Sequence, residues 1–337
     1  MSERAQIEND LELFQAEWDD PSPYMTVQTS GSTGTPKQMR VLKERMRASA
    51  RLTCQFLVLK KSDTALLCMP LRYIAGKMVV VRALEWGLKL LVREPSGHPL
   101  AEPFDGDLDF AAMIPLQVYN SLQVPAERER LTRIRHLIIG GGAIDRELEV
   151  ALRPLPNRIY STYGMTETLS HVAMRRLNGP EASEYYEPFP SVRLSLSPDQ
   201  TLMIDAPLVC DGPLVTNDVV DLQPDGRFRV IGRKDNIINS GGVKIQIETV
   251  EAKLRPFLTV PFAITALPDP KFGEAIVLLT TAAATAFPPE ALDRYERPKQ
   301  ILRVEAIPMT GSGKIDRAAC RRLAIETNEC QTSKSKR

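Results

Sequence analysis

From Asp63 to Gly142 the chain changes repeatedly from short apolar, β-rich runs to stretches of helical character, and this alternation constrains the fold more than any other feature. Asp63–Met69 (DTALLCM), Leu88–Val92, Leu108–Ile114 and His136–Ile139 read as strands, and Asn157–Tyr163 leads on to Gly164–Thr168. Met78–Trp86 and the segment after Pro115 read as helices. A short apolar run without polar alternation suits a strand covered on both faces, the situation of a parallel sheet flanked by helices. The pattern therefore predicts an α/β class with a parallel sheet.

The flanks extend this reading. Residues 1–20 suit a helix with Ile7, Leu11 and Phe14 on one side, running into Pro21 and Pro23. Tyr24–Gln28 reads as a strand and Val41–Leu59 as a long helix with Leu42, Met46, Ala50 and Leu57 near one face. From Val192 to Val230 short alternating runs are separated by Pro-Asp and Asp-Gly turns, which predicts a small antiparallel sheet or barrel. Beyond Gly232, a helix over Ile247–Leu254, strands over Ala263–Leu267, Ala275–Thr281 and Ile301–Val304, and a helical stretch over Pro289–Tyr295 predict a smaller α+β domain. The expected organisation is a large domain over 1–232, a hinge over 233–235, a mobile smaller domain over 236–326 and a disordered polar tail from Thr327.

Charge excludes some partners. The 43 Lys and Arg against 42 Asp and Glu leave a net +1, so no global field draws the chain to nucleic acid or a membrane. No apolar run is long enough to span a bilayer, and MSERAQIENDLELF is too polar and acidic for a signal or transit peptide. The five cysteines, Cys54, Cys68, Cys210, Cys320 and Cys330, form no C-x-x-C pair and read as reduced thiols of a cytoplasmic protein. The three histidines are far apart, which argues against a His/Cys metal centre.

The chemistry is carried by five segments. Thr29–Lys37, TSGSTGTPK, combines two glycines, the hydroxyls of Ser30, Ser32, Thr33 and Thr35, and the cation of Lys37. Glycine turns expose successive N–H groups as an anion-binding nest, and hydroxyls and a lysine complete a polyphosphate cradle. Its spacing is not the G-x-x-x-x-G-K-[ST] of a P-loop. The others are Tyr160–Thr168 (YSTYGMTET), Leu214–Asp218 (LVTND), Gly232–Lys244 (GRKDNIINSGGVK) and Pro308–Arg317 (PMTGSGKIDR), with the triple glycine Gly140–Gly142 between strand and helix.

These segments, in this order, resemble the motifs of the adenylate-forming superfamily of acyl-CoA ligases, luciferases and peptide-synthetase adenylation domains. The resemblance implies ATP, Mg²⁺ and coenzyme A as reactants. It implies that Thr29, Ser30, Ser32, Thr33 and Lys37 hold phosphates, and that Tyr163 and Gly164 border the adenine. Thr166 would offer a hydroxyl to a phosphate, and Glu167 a ligand to Mg²⁺. Asp218 would take the ribose hydroxyls, supported by Arg233. Asp235 would be the hinge, Gly241 and Gly242 would lie along the pantetheine arm, and Lys314 would be the adenylation lysine. Asn217 stands where glycine is usual, and Gln246 where Pro or Ser is common.

Only 28 residues precede Thr29, where most members carry a long N-terminal subdomain. PLRYIAGK (70–77) and SHVAMRRL (170–177) look like segments of short o-succinylbenzoate–CoA ligases of menaquinone biosynthesis, with Tyr73 where many relatives have His. The acid pocket would then include Arg72, Tyr73, Lys77, Gly141 and Gly142, with Lys77 or the competing Arg72 meeting a second carboxylate. The implied activity is ATP-dependent acid–thiol ligation of a small carboxylic acid. Another aromatic or short acid, or a nucleotide-binding module without catalysis, are the alternatives, and a homo-oligomer is left open.

Overall fold

The computed structural model describes residues 3–28, 38–282, 286–310 and 315–334. The chain divides into two compact units. One comprises Met1–Ser195, Met203–Leu214 and Leu222–Arg229, and the other Leu196–Leu202, Val215–Asp221 and Val230–Arg337.

The first unit begins with α1 (Glu3–Asp19), β1 (Tyr24–Gln28), β2 (Gln38–Leu42) and α2 (Lys43–Phe56). β1 and β2 are antiparallel, with Tyr24 opposite Leu42 and Gln28 opposite Gln38. Thr29–Lys37 therefore joins two paired strands, not a strand and a helix as expected. The alternation in Gln38-Met39-Arg40-Val41-Leu42 is the β signal that a helix starting at Val41 overlooks. The end of α1 is fastened to this hairpin. Glu17 accepts the Thr26 N–H at 2.7 Å, and Lys43 Nζ donates to the Asp20 carbonyl at 2.7 Å. Trp18 stacks on Phe14 and lies under the Arg47 guanidinium.

The main sheet follows. Its elements are β3 (Thr64–Leu67), α3 (Ile74–Trp86), β4 (Lys89–Val92), β5 (Leu108–Met113), α4 (Pro115–Gln123), α5 (Pro125–Thr132), β6 (Ile134–Ile139), α6 (Arg146–Leu152), β7 (Arg158–Gly164), β8 (His171–Arg176) and β9 (Glu187–Pro188). The strand order is β4-β3-β5-β6-β7-β8-β9, parallel from β4 to β7 and antiparallel over β8 and β9. Leu66, Ala111, Met113, Leu137 and Ile139 are buried in its core, as continuous apolar runs require. Gly87, left-handed at φ 70°, ends α3, and the Asp145 carboxylate accepts the Leu148 N–H at 2.8 Å to start α6.

Four strands then form a sheet in sequence order: β10 (Arg193–Leu196), β11 (Thr201–Asp205), β12 (Leu214–Leu222) and β13 (Phe228–Arg233). The remaining elements are β14 (Ile237–Ser240), β15 (Val243–Gln246), α7 (Ile247–Leu254), β16 (Phe262–Asp269), β17 (Gly273–Thr280), β18 (Gln300–Arg303) and α8 (Arg317–Lys334). Their sheet runs β15-β14-β17-β16, with β18 pairing β17 in parallel. Alternate residues of β17 face opposite ways. Ile276 and Leu278 join Val250 and Leu254 of α7, while Val277 and Leu279 join Cys320 and Ala324 of α8.

Two expectations fail in this part. The stretch Pro289–Tyr295 keeps only a 3-10 turn over Pro289–Ala291, because Leu292 is extended at φ −128°. The polar segment from Thr327 is not a disordered tail: α8 continues through it to Lys334. It contains no Gly or Pro, and the buried Cys320 and Ala324 anchor the preceding turns, so propagation adds one hydrogen bond per residue. Among the described residues no helix is long and apolar enough to cross a membrane.

Candidate functional site

In the first unit β7 delivers Tyr163 and Gly164 to a tight turn. A Cβ at Gly164 would lie 2.2 Å from the Ser170 carbonyl oxygen and 2.5 Å from His171 Cα, so glycine lets β7 and β8 cross here. Thr166–Thr168 form a single 3-10 turn. Thr168 Oγ1 accepts the Met165 N–H at 2.9 Å and closes it. Leu169, buried, then adopts φ 64° and ψ −37°, and the Ser170 N–H reaches back to the Thr168 carbonyl at 2.7 Å. This is a γ-turn of the strained, positive-φ kind, held by its surroundings. The result is an outward-facing Glu167 with no ion pair among the described residues. Its backbone carbonyl takes the Cys210 thiol at 3.5 Å. A single exposed carboxylate beside nucleotide phosphates suffices for Mg²⁺, which binds through one or two carboxylates and keeps its waters, so the residues present fit the ion.

Tyr163 packs its ring 4.9 Å from Phe228, edge-on, and 5.9 Å from Tyr186, so an aromatic cluster braces the expected adenine-bordering side chain. After β6, Gly141 is exposed at φ 77° with Gly142 beside it. A Cβ at Gly140 would strike Thr162 Oγ1 at 2.4 Å.

The expected acid-pocket segment opens α3. Gly76 sits against the Pro70 carbonyl, where a Cβ would come within 2.5 Å of the oxygen. Arg72 lies over the Tyr73 ring at 4.9 Å. Lys77 is already engaged: Nζ donates to the Thr26 carbonyl at 2.8 Å and pairs with Glu17 at 3.2 Å. Five residues further along α3 is Arg82, which no motif marks. It is 2% exposed, Nη2 donates to Ser170 Oγ at 2.7 Å, and Nε is buried with no partner. Among the described residues no carboxylate pairs with it. Burial pulls its pKa down to about 10. The available signal was a lone arginine inside the apolar run MVVVRALEW.

In the second unit the expected ribose and hinge residues come together. Arg233 Nη1 donates to Asp218 Oδ1 at 3.0 Å, and Nη2 lies 3.4 Å from Asp235 Oδ2. Asn217 Nδ2 donates to the same Asp235 oxygen at 2.9 Å, a role that glycine there could not fill. The Asp218 N–H donates to Thr216 Oγ1, whose own proton goes to the Leu202 carbonyl. Gln246 Nε2 donates to the Arg233 carbonyl at 2.9 Å, lying across the bare Cα of Gly232. Gly241 and Gly242, at φ 59° and 83°, form the two-residue turn of the β14–β15 hairpin.

Thr29, Ser30, Ser32, Thr33, Lys37 and Lys314 lie outside the described residues. The base of each of their segments is fixed. Gln28 pairs with Gln38, and Met309 bridges to Ile315. Arg317 pairs with the buried Glu251 through both carboxylate oxygens.

Residues 2–204 match the family described as AMP-binding enzyme. The 2-succinylbenzoate–CoA ligase of Salmonella typhimurium is 26% identical over 344 residues, covering 95% of this chain and 73% of that protein. A solved acyl-CoA synthetase (AMP-forming)/AMP-acid ligase II-like protein from Dyadobacter fermentans is 34% identical, with a TM-score of 0.65 and 92% of each chain covered. The o-succinylbenzoate coenzyme A synthetase of Bacillus subtilis, solved with ATP and magnesium ion, shares the fold at a TM-score of 0.69 and 20% identity over 87% of this chain and 68% of that one. With more than half its length matched, the chain belongs to the AMP-binding enzyme family.

Proposed function

We propose that the protein is an AMP-forming acid–thiol ligase whose acid is o-succinylbenzoate or a close aromatic dicarboxylate. In the first step a substrate carboxylate oxygen attacks the α-phosphorus of ATP and pyrophosphate leaves. In the second the CoA thiolate attacks the acyl carbon and AMP leaves. Neither step needs a nucleophile from the protein, so its residues position groups and stabilise charge. Glu167 would hold Mg²⁺, which supplies positive charge to the phosphates. Asp218, with Arg233, would hold the ribose, and Lys314 would meet the charge that develops at the α-phosphate.

The observation that carries the choice of acid is Arg82. A buried cation without a carboxylate partner is expensive, and it becomes favourable once an anion meets it. A dicarboxylic acid activated at one end brings such an anion at the other. Lys77 is occupied by Glu17 and Thr26, which favours Arg82 over Lys77 for the second carboxylate. The names of the Salmonella and Bacillus relatives support the same substrate.

The test is pyrophosphate release with o-succinylbenzoate and with its analogue lacking the ring carboxylate. Wild type should favour the diacid, and Arg82→Met should lower kcat/KM for the diacid by roughly 10²-fold, the scale of losing a buried charge-assisted pair, while sparing the analogue. Equal losses for both acids would remove Arg82 from this role, and a wild-type preference for the monoacid would overturn the substrate.

A further inference from the structure

The hydrogen bonds leading away from Arg82 have a direction. Arg82 Nη2 can only donate, so Ser170 Oγ accepts from it at 2.7 Å. The Ser170 hydroxyl retains one proton, and His171 Nδ1 lies 3.1 Å away to take it. At the far end Thr53 Oγ1 is 3.1 Å from the Ser49 carbonyl, which can only accept, so the Thr53 proton goes there. Thr53 Oγ1 is left to accept from His171 Nε2 at 3.0 Å. The opposite assignment, with the proton on Nδ1, would leave the Ser170 proton without an acceptor among these groups. The order is thus Arg82 to Ser170 to His171 to Thr53 to the Ser49 carbonyl, with a neutral imidazole protonated on Nε2. Burial, and then the charge of Arg82, hold the His171 pKa well below the ordinary histidine range, which keeps the ring neutral as the chain of bonds requires.

We infer that His171 is a positioning residue for substrate selection. By taking the Ser170 proton it keeps the Ser170 lone pair on Arg82, and so fixes the orientation from which the guanidinium meets the second carboxylate. This rests on the dicarboxylate reading of Arg82. Arg82, His171 and Thr53 are buried and Ser170 is partly so, and aligned neighbours in a low-dielectric interior polarise one another, so removing the imidazole weakens the Ser170–Arg82 bond as well as its own. Ser170 and His171 follow the Thr166–Thr168 turn after Leu169, so the device sits where β8 leaves that turn.

The experiment compares His171→Leu, His171→Gln and Ser170→Ala with wild type. It records kcat and KM separately for the diacid and the monoacid analogue. His171→Leu and Ser170→Ala should each raise KM for the diacid about tenfold, the effect of loosening one hydrogen bond to a charged group, with the monoacid unchanged. His171→Gln can accept from Ser170 through its carbonyl and donate to Thr53 through its amide, and should return KM to within about twofold of wild type. Nitrogen-15 NMR of the wild-type protein should show His171 as the neutral Nε2–H tautomer at neutral pH. An Nδ1–H tautomer, an imidazolium, or equal losses on both acids overturns the inference. If wild type discriminates between the acids but these variants do not alter that discrimination, the inference fails alone. If wild type does not discriminate, the dicarboxylate reading fails with it.

Discussion

His136 shows how a single buried group writes its own pH dependence. It lies in β6 between Phe110 of β5 and Arg158 of β7, 3% exposed, with Nδ1 lacking a partner. Burial lowers its pKa from 6.5 to about 4, helped by Arg135, Arg158 and Arg176 and opposed by Asp109. As pH falls below 6.5 the unfolded chain takes up a proton that the folded one refuses. Stability should therefore drop between pH 6.5 and 4, at a limiting slope of about 1.4 kcal/mol per pH unit for this residue. His171 contributes with the same sign. Urea midpoints at pH 7.5, 6 and 5 should show a shallower acid loss in His136→Leu than in wild type, and parallel losses would assign the effect elsewhere. Residues of this kind are poorly legible in a sequence. The candidates Glu167 and Asp218 stand in motifs, whereas which of Lys77 and Arg82 is free to meet an anion depends on which cation already has Glu17 beside it.

At the scale of elements, most of the parallel sheet was readable because its strands are apolar runs of the right length. The β14–β15 hairpin is less so, since in IINSGGVKIQ the glycine motif masks two short strands around a tight turn. Its glycines therefore have a sufficient structural reason, and a role toward coenzyme A must be shown in addition. A Cβ at Gly241 would press on the Phe272 ring at 3.0 Å, while the space at Gly242 is open. Gly242→Ala should thus incur only the left-handed backbone strain, about 1–2 kcal/mol, visible as a lower Tm. If the hairpin also lines the thiol path, KM for coenzyme A should rise while pyrophosphate release in the adenylation step is preserved. An unchanged KM for coenzyme A would leave the glycines as turn formers.

For the whole molecule, the two half-reactions separate the roles proposed for Lys314 and Asp235. Lys314→Ala should slow acyl-adenylate formation by roughly 10²–10³, the scale of losing one preorganised charge donor, yet pass supplied acyl-adenylate on to the thioester. Equal loss in both steps would refute that division. Asp235→Pro fixes φ and removes a backbone donor, and should leave one half-reaction active while overall turnover fails. The order of motifs suggests two parts but does not show that Leu196–Leu202 and Val215–Asp221 group with the C-terminal residues, because that grouping follows spatial contacts and not chain order. The attachment of α1 has a consequence of another kind. Glu17 grips both Thr26 and Lys77, and the helix is joined to β1 through only Asp20–Pro23. Thermodynamically α1 is a ligand on a very short leash, present at an effective concentration in the millimolar range for its own docking groove. A proteolytic nick within that leash would convert an intramolecular fit into an ordinary bimolecular equilibrium. The integrity of the hairpin, and with it the anchoring of Lys77, would then vary with protein dilution.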